Sequence, residues 1–185
     1  MESFIREYKL PSEVCQKLIK AFEDGYKCEG MIGNGFVDKD IKDSTDIVLS
    51  QSPHVMYLYY SYLVVFIKDY LETFDTRKSG FQFNFLEDTN VQRYLPGQGY
   101  HGLHSEKNPM RPMVYRELVF MTYLNTLTPT KDNQGCTEFP YQNYFGQPVE
   151  GNTLIWPSGF THAHRGIAHH TETKFIATGW YHWLE

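Results

Sequence analysis

His104 and Glu106 stand two residues apart at the end of Tyr94-Leu95-Pro96-Gly97-Gln98-Gly99-Tyr100-His101-Gly102-Leu103-His104-Ser105-Glu106. Residues i and i+2 of a strand point to the same face. An imidazole and a carboxylate are thereby aimed at one point, and a first-row divalent metal accepts that pair. A second histidine far along the chain would complete two histidines and one carboxylate on one side of the metal, leaving the other side open. His164 is the candidate, within Thr161-His162-Ala163-His164-Arg165-Gly166. His162 shares its face by the period of two and competes; the spacing of ten residues to Lys174 favours His164. His101 lies three residues before His104 and faces the other way. His169 and His170 fall in a loop-like run and are expected to be solvated, while His54 and His182 have no evident partner. Cys136 could be a nucleophile, but no His–Asp pair accompanies it, and a small core thiol is the better reading.

Lys174 opens a run that reads as a strand, Thr173-Lys174-Phe175-Ile176-Ala177-Thr178-Gly179-Trp180-Tyr181. Lys174, Ile176, Thr178 and Trp180 share one face by the same period. An ammonium there points into an apolar interior, where an unpaired charge is costly. Snorkelling to water from the strand end would relieve that cost; so would a dicarboxylate ligand, which is the favoured reading.

These residues need a scaffold. Leu10-Pro11-Ser12-Glu13 opens a helix whose apolar face is Val14, Leu18, Ala21 and Phe22, with Gly25 as its stop. Glycines at 25, 30, 33 and 35 mark a loop. The polar segment 38–46 is either a solvated loop or a substrate-side one. Ser52-Pro53 opens a longer helix to about Phe74, apolar on most faces and expected to be buried against a sheet. From Gly80 onward the pattern turns to strands: Phe81 to Phe85, Val91 to Tyr94, Tyr115 to Leu124, Thr137 to Tyr144, Thr153 to Trp156 and Thr173 to Trp183. Short strands with Gly, Pro and Asn turns between them predict an antiparallel sandwich or barrel, covered on one outer face by the two helices. The loops at 107–113 and 125–135 are expected to overhang its mouth.

The whole chain bounds the reading further. Its 185 residues suit one domain with a sizeable core. A formal charge of −5 argues against a nucleic-acid partner, whose phosphates need Lys and Arg. Cys15, Cys28 and Cys136 are an odd count with no metal-site spacing, which fits a reducing compartment. Residues 1–7 hold no apolar signal core, so no export is expected and a cytoplasmic location follows. The longest apolar run, Val55 to Ile67, is too short to span a membrane, which needs roughly 18 residues.

Around the His-x-Glu pair stands an ordered set of motifs. Tyr94-x-Pro96-Gly97-x-Gly99-Tyr100 precedes it. Arg116-x-Leu118, Tyr123-Leu124-Asn125, Gly135-x-Thr137-x-Phe139, Gly151-x-x-Leu154-Ile155-Trp156-Pro157, His164 and Lys174 through Trp180 follow. In order and spacing this set resembles the prolyl 4-hydroxylase-like family of Fe(II)- and 2-oxoglutarate-dependent dioxygenases, from about Val91 to the carboxyl terminus. The resemblance implies an all-β core, a double-stranded β-helix or jelly roll over about 80–185, with two amino-terminal supporting helices over about 10–75, all in one domain spanning 1–185. It implies His104, Glu106 and His164 as iron ligands. It places Tyr94 near the metal-side end of 2-oxoglutarate, Tyr123 as a hydrogen-bond donor to the cosubstrate, and Lys174 on its far carboxylate; Thr178, on the Lys174 face, joins that site. It implies Fe(II), 2-oxoglutarate and O2, with ascorbate as an auxiliary. The expected substrate is a proline-containing peptide or protein, with a free amino acid or other small metabolite, or a non-catalytic binding role, as alternatives. Two positions depart from the family pattern: Glu106 stands where Asp is usual, and Lys42 of Lys42-Asp43-Ser44 stands where Arg is frequent.

Overall fold

The structure, a computed structural model, describes residues 2–33, 35–74 and 83–183. The start of the predicted Phe81–Phe85 strand lies outside those residues. In chain order the elements are β1 (Arg6–Lys9), α1 (Ser12–Asp24), β2 (Cys28–Glu29), β3 (Thr45–Val48), α2 (Pro53–Phe74), β4 (Phe83–Asn84), β5 (Asn90–Tyr94) and β6 (Tyr100–His104). They continue as β7 (Arg116–Tyr123), β8 (Thr137–Phe139), β9 (Tyr144–Gly146), β10 (Asn152–Pro157), β11 (His164–Gly166) and β12 (Lys174–Trp183).

The strands form two antiparallel sheets. The larger runs β1-β10-β7-β12-β5-β3-β2, with β4 added beside β12; the smaller runs β6-β11-β8-β9. Period-two alternation gives the larger sheet two apolar faces, and each is covered. On its outer face Val91, Leu118, Phe120, Ile155, Ala177 and Tyr181 pack with the two helices. On its inner face Val119, Met121, Tyr123, Leu154 and Trp156 pack with Phe139 of the smaller sheet. The result is the jelly-roll core with two supporting helices.

The helices follow their sequence signals. In α1 the buried side chains are Val14, Cys15, Leu18, Ala21 and Phe22, and Gly25 N–H caps the end on the Ala21 carbonyl at 2.9 Å. In α2 the buried stripe is Val55, Tyr59, Leu63, Ile67 and Tyr70. As expected, this stripe packs against the sheet; the other apolar faces stay open, with Tyr57 and Val65 68% and 61% exposed, because one sheet face covers only one side of a helix. Among the described residues no helix is long and apolar enough to cross a membrane.

Several expected loops are structured. Residues 6–9 and 28–29 form the two edge strands of the larger sheet, and 45–48 the strand beside the second edge, none of them marked by composition. The expected strand from Thr137 to Tyr144 is two strands, β8 and β9, turned back on each other at Pro140 to Asn143, where Asn143 adopts φ 50°. One glycine is irreplaceable on steric grounds. Gly151 has φ +79°, and a Cβ there would stand 2.2 Å from the Leu10 carbonyl oxygen. Its own carbonyl accepts from Leu10 N–H at 2.8 Å, fastening the start of α1 to β10.

Candidate metal and cosubstrate site

Between the sheets lies a cavity of about 610 Å³. Its floor is the inner face of the larger sheet, built from alternate residues. Asn90, Gln92 and Tyr94 of β5 stand opposite Thr178, Ile176 and Lys174 of β12, and Asp46 of β3 stands beside Gln92. Its wall comes from the smaller sheet, through Tyr100, His104, Thr137 and His164.

Antiparallel pairing of β6 with β11 sets His104 directly against His164. Their ring centroids are 4.5 Å apart. Glu106 lies two residues past the end of β6, where its N–H donates to the Ser158 carbonyl at 3.1 Å. Its Oε1 is 3.5 Å from Nε2 of both His104 and His164. One donor atom from each of these three residues falls within 4.8 Å of the others, a spacing that could hold a metal ion. Each imidazole is turned by its other nitrogen: His104 Nδ1 is 2.8 Å from the Gly102 carbonyl, and His164 Nδ1 is 3.0 Å from the His162 carbonyl. A carbonyl only accepts, so each Nδ1 carries the proton and each Nε2 offers a lone pair to the common point, the tautomer a metal requires. His104 Nε2 is buried with no hydrogen-bond partner. A buried, unpaired lone pair aimed at a second imidazole and a carboxylate fits a divalent cation. Burial, then the neighbouring His104, push the His164 pKa down, which favours the neutral ligand form. Tyr100 stacks on the His104 ring at 3.7 Å and fixes its plane.

Glu106 is held from behind. Its Oε2 accepts from Trp180 Nε1 at 3.0 Å and from Arg116 at 3.2 Å. Arg116 lies flat on Trp180, with 3.5 Å between the guanidinium carbon and the ring centroid. It also grips both oxygens of Glu87, at 2.6 and 2.5 Å. Glu87 in turn meets Nε2 of the fully buried His182 at 2.8 Å. Burial works against ionisation of Glu87, but its hydrogen bonds from Arg116 and His182 outweigh it and lower its pKa.

Lys174 lies at the opposite end of the floor. It is 4% exposed, and burial pushes its pKa down from 10.5 to about 8. Its ammonium finds only the Gly135 and Ile167 carbonyls, at 3.3 and 3.5 Å, both longer than a good N–H···O bond. The Tyr94 ring lies 5.0 Å away. No carboxylate pairs with this ammonium among the described residues, so the cavity holds a cation that suits an anionic ligand.

The remaining expected residues divide. Thr178 lines the cavity, with its hydroxyl donating to the Phe120 carbonyl at 3.1 Å. Tyr94 sits beside Lys174 rather than at the histidine end, because it is the cross-strand partner of Lys174, and its hydroxyl donates to Gln92 at 2.7 Å. Tyr123 is corrected more strongly. It is fully buried behind the cavity wall, where its hydroxyl donates to the Gly146 carbonyl at 2.9 Å and meets the Thr137 hydroxyl at 2.8 Å. Its single proton is engaged away from the cavity, and Thr137 is the residue that faces inward.

His162 does not share a face with His164. A 3-10 turn at Phe160–His162 breaks the period of two, and His162 Nε2 turns away to the Ser3 carbonyl at 2.9 Å. His169, expected in solvent, is 3% exposed and accepts the N–H groups of Thr171 and Glu172. The loop 107–113 reaches the mouth through Asn108 and Met113, whereas 125–135 packs elsewhere, against His169 and Glu172. The segment 38–46 is on the cavity side: Lys42 and Asp46 form an ion pair of 2.7 Å at 5% and 8% side-chain exposure. Sequence reasoning missed Glu87, the role of Arg116 and His182. His182 had a signal, since it continues the 174, 176, 178, 180 series on one face.

Comparisons with known proteins agree with this geometry. The family model of the 2OG-Fe(II) oxygenase superfamily matches residues 89–182. No curated protein sequence matches the chain. Among solved structures, the viral collagen prolyl hydroxylase of Paramecium Bursaria Chlorella virus-1, in its 2OG complex, is 21% identical with TM-score 0.69, covering 98% of this chain and 97% of that one. A prolyl hydroxylase from Trichoplax adhaerens, in complex with a hypoxia inducible factor peptide fragment, is 18% identical with TM-score 0.74, covering 96% and 83%. A Pseudomonas putida prolyl-4-hydroxylase is 15% identical with TM-score 0.71, covering 96% and 92%.

Proposed function

The chain belongs to the 2OG-Fe(II) oxygenase superfamily, and from that premise we propose that it hydroxylates a prolyl residue in a peptide or protein, with His104, Glu106 and His164 as its iron ligands. The observation that carries the ligand set is the convergence of the two unprotonated Nε2 atoms and one carboxylate oxygen on a buried point. Fe(II), 2-oxoglutarate and O2 together supply an oxidative decarboxylation coupled to hydroxylation of an unactivated C–H bond, with ascorbate as auxiliary reductant.

The chain's own residues bind and orient. Lys174 takes the far carboxylate of 2-oxoglutarate, which relieves a buried ammonium that otherwise has only two long carbonyl contacts. Thr137 adds a hydroxyl near that end of the cavity, with Tyr123 fixing it from behind, and Thr178 adds one further along the floor. Ile176 and Met121 keep the floor apolar, which strengthens the charge pairing above it. One domain carries the activity, with 10–75 as support and 80–185 as core.

A peptide substrate is supported by the mouth. Met31, Ile32, Val48 and Met113 give it an apolar lip, and Met31 is 50% exposed. The Trichoplax neighbour of this fold is itself bound to a peptide fragment. Proline suits such a lip, because its fixed φ makes an extended segment cheap to order. The test is a panel of proline-rich peptides, free L-proline and other free amino acids, incubated with Fe(II), 2-oxoglutarate and ascorbate. Mass spectrometry should find one added oxygen on a prolyl ring of a peptide, with succinate released in step. Hydroxylation of a free amino acid with no peptide accepted would replace this reading with a small-metabolite hydroxylase.

A further inference from the structure

Glu106 offers its two oxygens to two different surroundings. Oε1 faces the histidine pair at 3.5 Å from each Nε2. Oε2 is taken by Trp180 Nε1 and Arg116, at 3.0 and 3.2 Å. The Arg116 carbonyl is also tied down, by the Ser158 hydroxyl at 2.6 Å. The guanidinium is clamped from the other side by both oxygens of Glu87, and Glu87 is backed by buried His182. Four side chains on β7, β12 and the segment before β5 are therefore arranged around one carboxylate oxygen.

From this arrangement we infer that Arg116 and Trp180, braced by Glu87 and His182, are positioning residues that hold the Glu106 carboxylate to a single metal-facing oxygen. The inference rests on the ligand set proposed above. Glutamate has one more methylene than aspartate, so its carboxylate can swing and chelate with both oxygens. A two-histidine, one-carboxylate face leaves three positions for the exogenous ligands of the reaction. Chelation by both Glu106 oxygens would consume one of those three. Two donors fixed on Oε2 prevent it: the indole N–H is rigid, and the guanidinium has a planar fork already locked to Glu87. The clamp therefore keeps open a position that 2-oxoglutarate needs.

The test separates metal binding from cosubstrate binding, using Mn(II) as the metal so that no turnover occurs. Trp180→Phe keeps the ring and removes its N–H; Arg116→Lys keeps the charge and loses the fork; Glu87→Gln loosens the brace. Calorimetry on the intact chain should find Mn(II) affinity within about threefold of the parent in all three. Affinity of the Mn(II)-loaded protein for 2-oxoglutarate should fall by about tenfold or more in Trp180→Phe and Arg116→Lys, and less in Glu87→Gln. The Co(II) form should keep its parent absorption spectrum in none of these variants except Glu87→Gln. A merely structural role would lower Mn(II) and 2-oxoglutarate affinity together. That result, or unchanged 2-oxoglutarate affinity in Trp180→Phe, overturns the inference. Parent-like Mn(II) affinity in His104→Ala would instead remove the ligand set itself, and the inference with it.

Discussion

Replacing Lys174 with Met should make the protein more stable and its 2-oxoglutarate site weaker. Met keeps the length and apolar stem of Lys and removes the ammonium. In the parent that ammonium has no anionic partner among the described residues, and its pKa falls from 10.5 to about 8 through burial. The drop from 10.5 to about 8 corresponds to roughly 3 kcal/mol of destabilisation when the group is charged in both states. Met removes that penalty along with two long carbonyl contacts, so a gain on the order of 1–3 kcal/mol is expected at pH 7. The sign has a pH signature. Between pH 8 and 10.5 the unfolded chain holds the lysine proton and the folded chain has lost it, so parent stability rises with pH across that window; Lys174→Met lacks that rise. Binding moves the opposite way. A charge-assisted hydrogen bond to a buried carboxylate contributes roughly 1.5–3 kcal/mol, about a 10- to 150-fold loss of affinity on removal. Parent affinity should itself decline above pH 8, where the neutral amine must take up a proton to bind. Urea titrations across pH, with calorimetry of 2-oxoglutarate on the Mn(II)-loaded protein, read both arms. Unchanged 2-oxoglutarate affinity, or stability and affinity falling together, would refute the assignment of Lys174.

Three further predictions test other parts of the site and its scaffold. His104→Ala and His164→Ala should each cost at least about tenfold in Mn(II) affinity, whereas His162→Ala, which loses its bonds to the Ser3 carbonyl and the Thr161 hydroxyl, should bind Mn(II) like the parent and melt at a lower temperature. Tyr123→Phe should lose about 1 kcal/mol of stability with its two buried hydrogen bonds and less than about fivefold in 2-oxoglutarate affinity; a loss matching that of Lys174→Met would show that the hydroxyl reaches the ligand directly. Gly151→Ala forces a Cβ to 2.2 Å from the Leu10 carbonyl at a positive φ, so denaturant melts should find a loss of roughly 2 kcal/mol or more, with the 2-oxoglutarate site unchanged per folded molecule.

Much of this was legible before the fold was known, because the inward face of β12 alternates strictly and period two is the simplest pattern a sequence can carry. The same rule placed His104 and Glu106 together, although Glu106 lies past the strand end and owes its position to the Ser158 carbonyl. It failed at His162, where a single 3-10 turn resets the phase. The role of Tyr123 came from the family resemblance and not from that rule; a face is broader than a cavity, and the hydroxyl of this inner-face residue has nearer partners in Thr137 and Gly146. Glu87 was invisible because nothing local marks it; its partners are Arg116 and His182, 29 and 95 residues away. The short strands β1 to β3 were hidden for want of an alternation long enough to recognise.

The inward side chains of β12 have a consequence for how the protein can fail. Lys174, Ile176, Thr178 and Trp180 mark out a graduated rule along one strand, each division about 6.7 Å from the next at the usual strand rise. The proposed cosubstrate anchor, the cavity floor and the proposed carboxylate brace are read off a single scale, held in place by β5 on one side and β7 on the other. A slip of one residue would point every mark outward at once. Damage to this register therefore abolishes all three together, while substitutions at the odd-numbered positions between them, which face the helices, should change melting temperature and leave the reading of the scale intact.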